Sequence, residues 1–208
     1  MRLLDTPQSS QDSTRQTTPE NPTQFLVTSP YTTPEHLLNL STLDNENALF
    51  AKALTHLRCV RDDYATAPYL DSFNWVEVLD KLRESAGDGF AETSFFIVAF
   101  RSQIPPTTVY EDLGILDEAA HAEAVACGGF LKYWFGHPDT DGRNLATCVW
   151  RSRDDAIRAG HTAGHRRAAR ATASMYSHWK IDRHRLIIGP GATEWKLIEW
   201  SDDYTGGQ

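Results

Sequence analysis

From Ser94 to Arg101 the chain reads SFFIVAFR, an almost wholly apolar run bounded by Pro105-Pro106. A run of strand length without polar alternation predicts a central strand covered on both faces. Val109 to Cys127 has helical spacing and stops at Gly128-Gly129. Phe130 to His137 and Asn144 to Arg151 are two more strand patterns, and the turn-rich PDTDGRN between them predicts a hairpin. Ser152 can then cap a helix, with Asp155 three residues on completing a capping-box-like pair. That helical pattern continues for roughly six turns, to about Tyr176. Ala156, Gly160, Gly164 and Ala168 recur along it every fourth residue and form a narrow face. An interior Gly costs about 1 kcal/mol against Ala, so this face is expected to lie close against a sheet. His178 to Ile188 is the next strand, Gly189-Pro190-Gly191 a turn, and Glu194 to Trp200 a short edge strand.

Before Ser94 the pattern is different. Residues 1–34 are rich in Ser, Thr, Gln and Pro and are expected to form a mobile or extended tail. Phe25-Leu26-Val27 could dock as an extended piece, with Tyr31 anchoring nearby. Residues 35–90 read as a helical extension, with one helix ending near Arg61 and a second running from Ser72 to its stop at Gly87. A core of that size would bury little by itself, so it is expected to cover the domain at 91–202. Residues 203–208 are a short tail.

The element order β-α-β-β-α-β plus an edge strand is the split βαβ arrangement, an α+β, ferredoxin-like antiparallel sheet with an N-terminal helical extension. Both helices then cover one sheet face. The other face carries Phe, Trp and Tyr residues too bulky for water. A second subunit, closing a two-sheet barrel, is the usual cover, and the N-terminal helices are the alternative.

The 208 residues carry a formal net charge of −8, which argues against a general nucleic-acid or anionic-membrane binder. Arg151, Arg153, Arg158, Arg166, Arg167 and Arg170 make one helix locally basic. Three cysteines in apolar surroundings suit a reducing compartment. No apolar run approaches membrane-spanning length, and no leader pattern is present, so a cytoplasmic protein is expected.

Over residues 93–200 the element order, together with the junction Val149-Trp150-Arg151-Ser152-Arg153-Asp154-Asp155, resembles the dimeric α/β-barrel superfamily. Its members include antibiotic-biosynthesis monooxygenases, EthD-like proteins, and decarboxylases and cyclases of polyketide pathways. The N-terminal extension and the GHTAGHRRA stretch look closest to a fungal branch. The resemblance implies a homodimer and a hydrophobic small-molecule ligand. It carries over no catalytic residue, because the superfamily has no universal one.

His161 and His165, four apart on the long helix, are expected to share a face and to serve as acid or base, with Arg166 holding an anion. Thr162 follows His161, so the general-base Glu of a zincin helix is missing and no metal is expected. Asp182 and His184 share a strand face and could relay a proton. Tyr133, Trp134, His137 and Trp150 are candidate substrate contacts. There is no P-loop, CxxC, nucleophile elbow or dinucleotide fingerprint, so no cofactor is expected. A haem- or metal-binding member is a further alternative, with His121 as a lone haem ligand. The reading is a cofactor-independent decarboxylase, cyclase or monooxygenase acting on an oxygenated, hydrophobic, polyketide-like molecule. A non-catalytic binding or dimeric scaffold protein is the alternative.

Overall fold

In a computed structural model of the protein, the apolar run becomes the middle strand of the sheet. The elements in chain order are β1 (Phe25–Leu26), β2 (Leu38–Asn39), α1 (Asn45–Ala53), α2 (Tyr69–Ser72), α3 (Trp75–Ala86) and β3 (Thr93–Gln103). Then follow α4 (Tyr110–Cys127), β4 (Phe130–Phe135), β5 (Arg143–Trp150), α5 (Arg153–Gly160), α6 (Ala163–Met175), β6 (His178–Ile188) and β7 (Trp195–Glu199). The structure describes residues 24–202; the tails at 1–23 and 203–208, and the side chains of Thr172 and Ala173, lie outside the described residues.

Strands β4-β5-β3-β6-β7 form one sheet in that order, antiparallel throughout. This is the ferredoxin-like arrangement with an added edge strand. Along β3 the side chains alternate. Phe95, Ile97 and Ala99 enter the larger core, and Phe96 and Val98 the smaller one. The smaller core lies under α4 and α5, where Phe96, Ala124, Phe130, Trp150 and Ala159 meet.

The larger core lies on the opposite face, and the chain's own N-terminal helices fill it. Phe50, Leu54, Trp75, Val78 and Leu82 are all buried there against Phe95, Ile97 and Leu186. The face left to a second subunit or to the N-terminal helices is thus occupied by the helices. Arg101 fastens them down. Its Nε donates to Asp182 at 3.0 Å, and its terminal nitrogens donate to the carbonyl oxygens of Tyr64, Ala65 and Ala67.

One expectation is met and one is corrected. Within the tail, Phe25-Leu26 docks as an extended piece and Tyr31 anchors nearby. β1 pairs with β2, and the Tyr133 N–H donates to the Thr28 carbonyl at 2.9 Å, so this strap runs along the outer edge of β4. The single long helix is broken between Gly160 and Ala163. His161 and Thr162 donate back three residues, to Arg158 and Ala159, and the Thr162 hydroxyl also donates to Ala159, closing α5. Glu123 of α4 then takes the Gly164 N–H at 2.6 Å and starts α6, placing a carboxylate at that helix's positive end. A Cβ on Gly164 would lie 2.8 Å from Glu123 Oε2, whereas one on Gly160 would meet nothing within 4 Å. The small residue is needed for a carboxylate on a neighbouring helix, not for a sheet.

Candidate functional site

The helix α4 turns Asp117, Ala120, His121 and Ala124 toward its surroundings, and the two alanines leave room for the polar pair between them. β4 presents Tyr133 from below, and the strap adds Tyr31 and His36 from the side. Tyr31 Oη donates to Asp117 Oδ2 at 2.6 Å and Tyr133 Oη to Oδ1 at 2.5 Å. Both carboxylate oxygens are therefore held by phenols. His36 and His121, 1% and 4% exposed, meet Nδ1 to Nδ1 at 2.7 Å.

That contact needs one protonated and one bare nitrogen. His36 Nε2 lies 3.7 Å from Glu118 Oε1, which favours a proton on that nitrogen. His36 Nδ1 is then the acceptor and His121 Nδ1 the donor, a tautomer assigned from the hydrogen-bond network. It leaves His121 Nε2 as a bare acceptor, buried and without a hydrogen-bond partner among the described residues. Burial, and then the neighbouring His36 and His165, pull His121 down to about 3, so it is neutral near pH 7. Burial raises the Asp117 carboxyl against the lowering effect of its two phenol hydrogen bonds, and Glu118 adds to the rise. Burial, together with Asp117, also raises both tyrosines. The rings of Tyr31, His36, Phe130 and Tyr133 stand 4.9 to 5.5 Å from His121. A carboxyl that accepts two phenol hydroxyls and a histidine with a bare ring nitrogen thus stand within one cluster of aromatic rings.

The four residues expected to be catalytic do not come together. His161 is exposed at the break after α5, so it shares no helix face with His165. His165 is part-buried, contacts the Thr162 hydroxyl at 3.2 Å, and is pulled down by burial. It lies on the helical side of the sheet, where it acts electrostatically on His121. Asp182 and His184 lie on the other side, against the N-terminal helices. Burial would raise Asp182, but Lys180 at 2.6 Å and Arg101 outweigh it and hold the carboxyl low. His184 stacks on Tyr69 at 4.8 Å, and its Nε2 is buried without a partner among the described residues.

Of the expected substrate contacts, Tyr133 is in the centre. Trp134 packs edge-on against Tyr64 and Phe73, and Trp150 against Phe130, so both are core residues. His137 is exposed and offers only its carbonyl, to Tyr64. Arg166 is exposed and donates to the His161 carbonyl. The junction Trp150-Arg151-Ser152 is structural. Ser152 accepts the Asp155 N–H as in the expected cap, and Arg151, Arg158 and the Ser152 hydroxyl all hold the buried Asp155 carboxylate.

Tyr31, His36 and Asp117 were missed as functional residues. The one legible signal was Asp117 and His121, four apart on an otherwise alanine-rich helix face. Nothing in the spacing links them to a strap some 80 residues earlier in the chain. No group of three or more His, Cys, Asp or Glu among the described residues is arranged to hold a metal ion. Two open grooves lie elsewhere. One, of about 540 Å³, is lined by Phe73, Trp75, Val76 and Trp195; the other, of about 420 Å³, by Lys180, Asp182, His184 and Trp200. No helix among the described residues is long and apolar enough to cross a membrane.

Fold and geometry together define a ferredoxin-like α+β protein with an N-terminal helical cover and a buried acid–base centre. Residues 27–199 match the PB2B2.08-like family. The chain is also 34% identical over 183 residues to the UPF0643 protein PB2B2.08 of Schizosaccharomyces pombe, covering 83% of each. It belongs to that family, and the relative fits the fungal branch that the sequence resembles. Solved structures with a similar ferredoxin-like fold include SnoaB, a cofactor-independent oxygenase from Streptomyces nogalater, 15% identical with a TM-score of 0.35. That alignment covers 43% of this chain and 90% of SnoaB. Another is a dimeric ferredoxin-like protein from Thermobifida fusca, 12% identical with a TM-score of 0.36, covering 46% of this chain and 93% of that one.

Proposed function

We propose that the protein is a cofactor-independent enzyme that transfers a proton on a hydrophobic, oxygenated small molecule at the Asp117–His121 centre. The observation that carries this reading is the bare, buried His121 Nε2, with the rings of Tyr31 and Tyr133, which hold both oxygens of the Asp117 carboxyl, packed around His121. In the proposed chemistry His121 Nε2 takes the proton, and the resulting imidazolium is balanced by Glu118 through His36. Tyr31 or Tyr133 turns its hydroxyl from Asp117 to the developing oxyanion of the substrate. Proton abstraction of this kind is common to decarboxylation, cyclisation and oxygenation of polyketide-like phenols and acids. Tyr31 and His36 belong to the strap, so the centre is complete only when the strap is seated.

The test is a thermal-shift and native-mass screen of the full chain against aromatic hydroxy-acids and phenols, repeated on Tyr133→Phe and His121→Ala. The expected result is a class of ligands that binds the wild type and loses at least tenfold in affinity in both folded variants. Binding unchanged in both would refute the reading.

A second reading, a non-catalytic binding or scaffold protein, is favoured by one observation. The sheet face that could line a barrel interior is filled by the chain's own helices. It predicts no ligand in the same screen, with both substitutions affecting stability alone.

A further inference from the structure

A sheet of this kind offers a second copy two faces and two edges, and helices α4 and α5 cover one face. The N-terminal helices fill the other. The strap covers the outer edge of β4. The remaining edge is shared by β7 and the stretch of β6 that β7 leaves uncovered. β7 pairs only with residues 184–188 of β6, and one further bond, Trp200 N–H to the Arg183 carbonyl, ends the ladder. The chain then turns off the edge. Trp200 packs edge-on against Phe96, and Asp202 meets Trp200 Nε1 and Arg153. Residues 178–182 of β6 are left with β3 on one side and no paired strand among the described residues on the other.

The direction of the free groups follows from the ladder. Arg183 and Gly189 pair toward β7, so the odd-numbered residues of β6 turn their N–H and C=O outward. Trp179 and Ile181 therefore present backbone donors and acceptors along the open edge. Edges of this kind are templates for another strand.

We infer that this edge pairs with its own copy about a two-fold axis through Ile181, joining two sheets into one. The sequence is self-complementary in that register. Ile181 meets Ile181 of the second copy in a reciprocal pair of N–H···O=C bonds. Lys180 falls opposite Asp182 in the non-hydrogen-bonded pair, where side chains approach closest, and the second copy repeats the contact. Trp179, 48% exposed here, falls beside the Arg183 guanidinium, a cation–π partner. The reciprocal backbone bonds are those of Ile181; at Arg183 the carbonyl already takes the Trp200 N–H, and the ladder ends there. Shifting the axis by one residue would set Lys180 against Lys180, which disfavours that register. Lys180 is at once the guard against other strands and half of the matching charge pair.

The test is sedimentation velocity on the full chain from about 1 to about 200 µM, with interface protection read by hydrogen exchange. The expected wild type moves with concentration toward twice 23.4 kDa, and the outward amides of Trp179 and Ile181 gain protection as it does. Ile181→Pro removes an outward donor without touching the bonds to β3, and Lys180→Glu sets like charges across the axis. Both are expected to remain monomeric at concentrations where the wild type is dimeric, with unchanged far-UV circular dichroism. A wild type that stays monomeric throughout would overturn the inference. So would a dimer that both substitutions leave intact, or protection of the Trp179 and Ile181 amides in a monomer, which would place part of the same chain on the edge.

Discussion

His121 and Asp117 pull acid stability in opposite senses. His121 sits at about 3 in the folded chain against about 6.5 unfolded, so the unfolded state binds its proton first. Its contribution is complete above about pH 6.5 and is lost progressively as pH falls toward 3. His165 and His184, also lowered by burial, act in the same direction. Asp117 is raised on folding, so its contribution grows as pH falls through its raised folded value toward the ordinary carboxylate value. Between pH 7.5 and 5.5 the three histidines outweigh the one carboxyl, and the urea midpoint is expected to fall. His121→Phe should flatten that fall; an unchanged slope would mean the ring is not held neutral. Tyr133→Phe removes a donor from a buried carboxyl and is expected to cost about 1.5–3 kcal/mol in the same assay.

Among the elements, three glycines separate what the pattern shows from what only contact can show. Gly129 has φ +75°, and a Cβ there would lie 2.3 Å from Asp155 Cγ, so Gly129→Ala is expected to disrupt the strand–helix junction severely. Gly164→Ala must displace the Glu123 cap and should lower Tm, whereas Gly160→Ala meets no obstacle and should add about 0.4–1 kcal/mol. Equal effects at 160 and 164 would contradict the account of the helix break. Strands β3 to β7, α4 and the Ser152 cap were legible in the sequence because each is written in local periodicity or in a cap three residues long. The break was not, because the group that starts α6 is Glu123, 41 residues away on another helix. An unbroken pattern from Ser152 to Tyr176 therefore placed His161 and His165 on one face, which the fold does not do.

At the scale of the molecule, the N-terminal third is both cover and clamp. Its helices fill the larger core, and Arg101 binds three of its carbonyl oxygens to the sheet. Arg101→Leu leaves those oxygens and Asp182 short of a partner and is expected to cost about 3 kcal/mol, with early proteolysis near residues 64–67. The same wrapping explains why the candidate site was only half legible. Tyr133, His165 and the lone His121 could be noticed singly, but the partners of His121 and Asp117 arrive on a strap whose composition reads as tail. Long-range pairing of Tyr31 with Asp117, and of His36 with His121, leaves no periodic trace.

The most direct measurement is the histidine-ring nitrogen spectrum of the full chain, titrated with the tightest hydroxy-acid from the ligand screen. The expected result is a neutral His121 at pH 7 with its proton on Nδ1 and a bare Nε2. That Nε2 signal should move with the ligand's own binding curve, and Tyr133→Phe should shift the curve to higher concentration. A His121 ring that carries its proton on Nε2, or whose signals stay still while the ligand saturates, would contradict the Asp117–His121 centre as the working site.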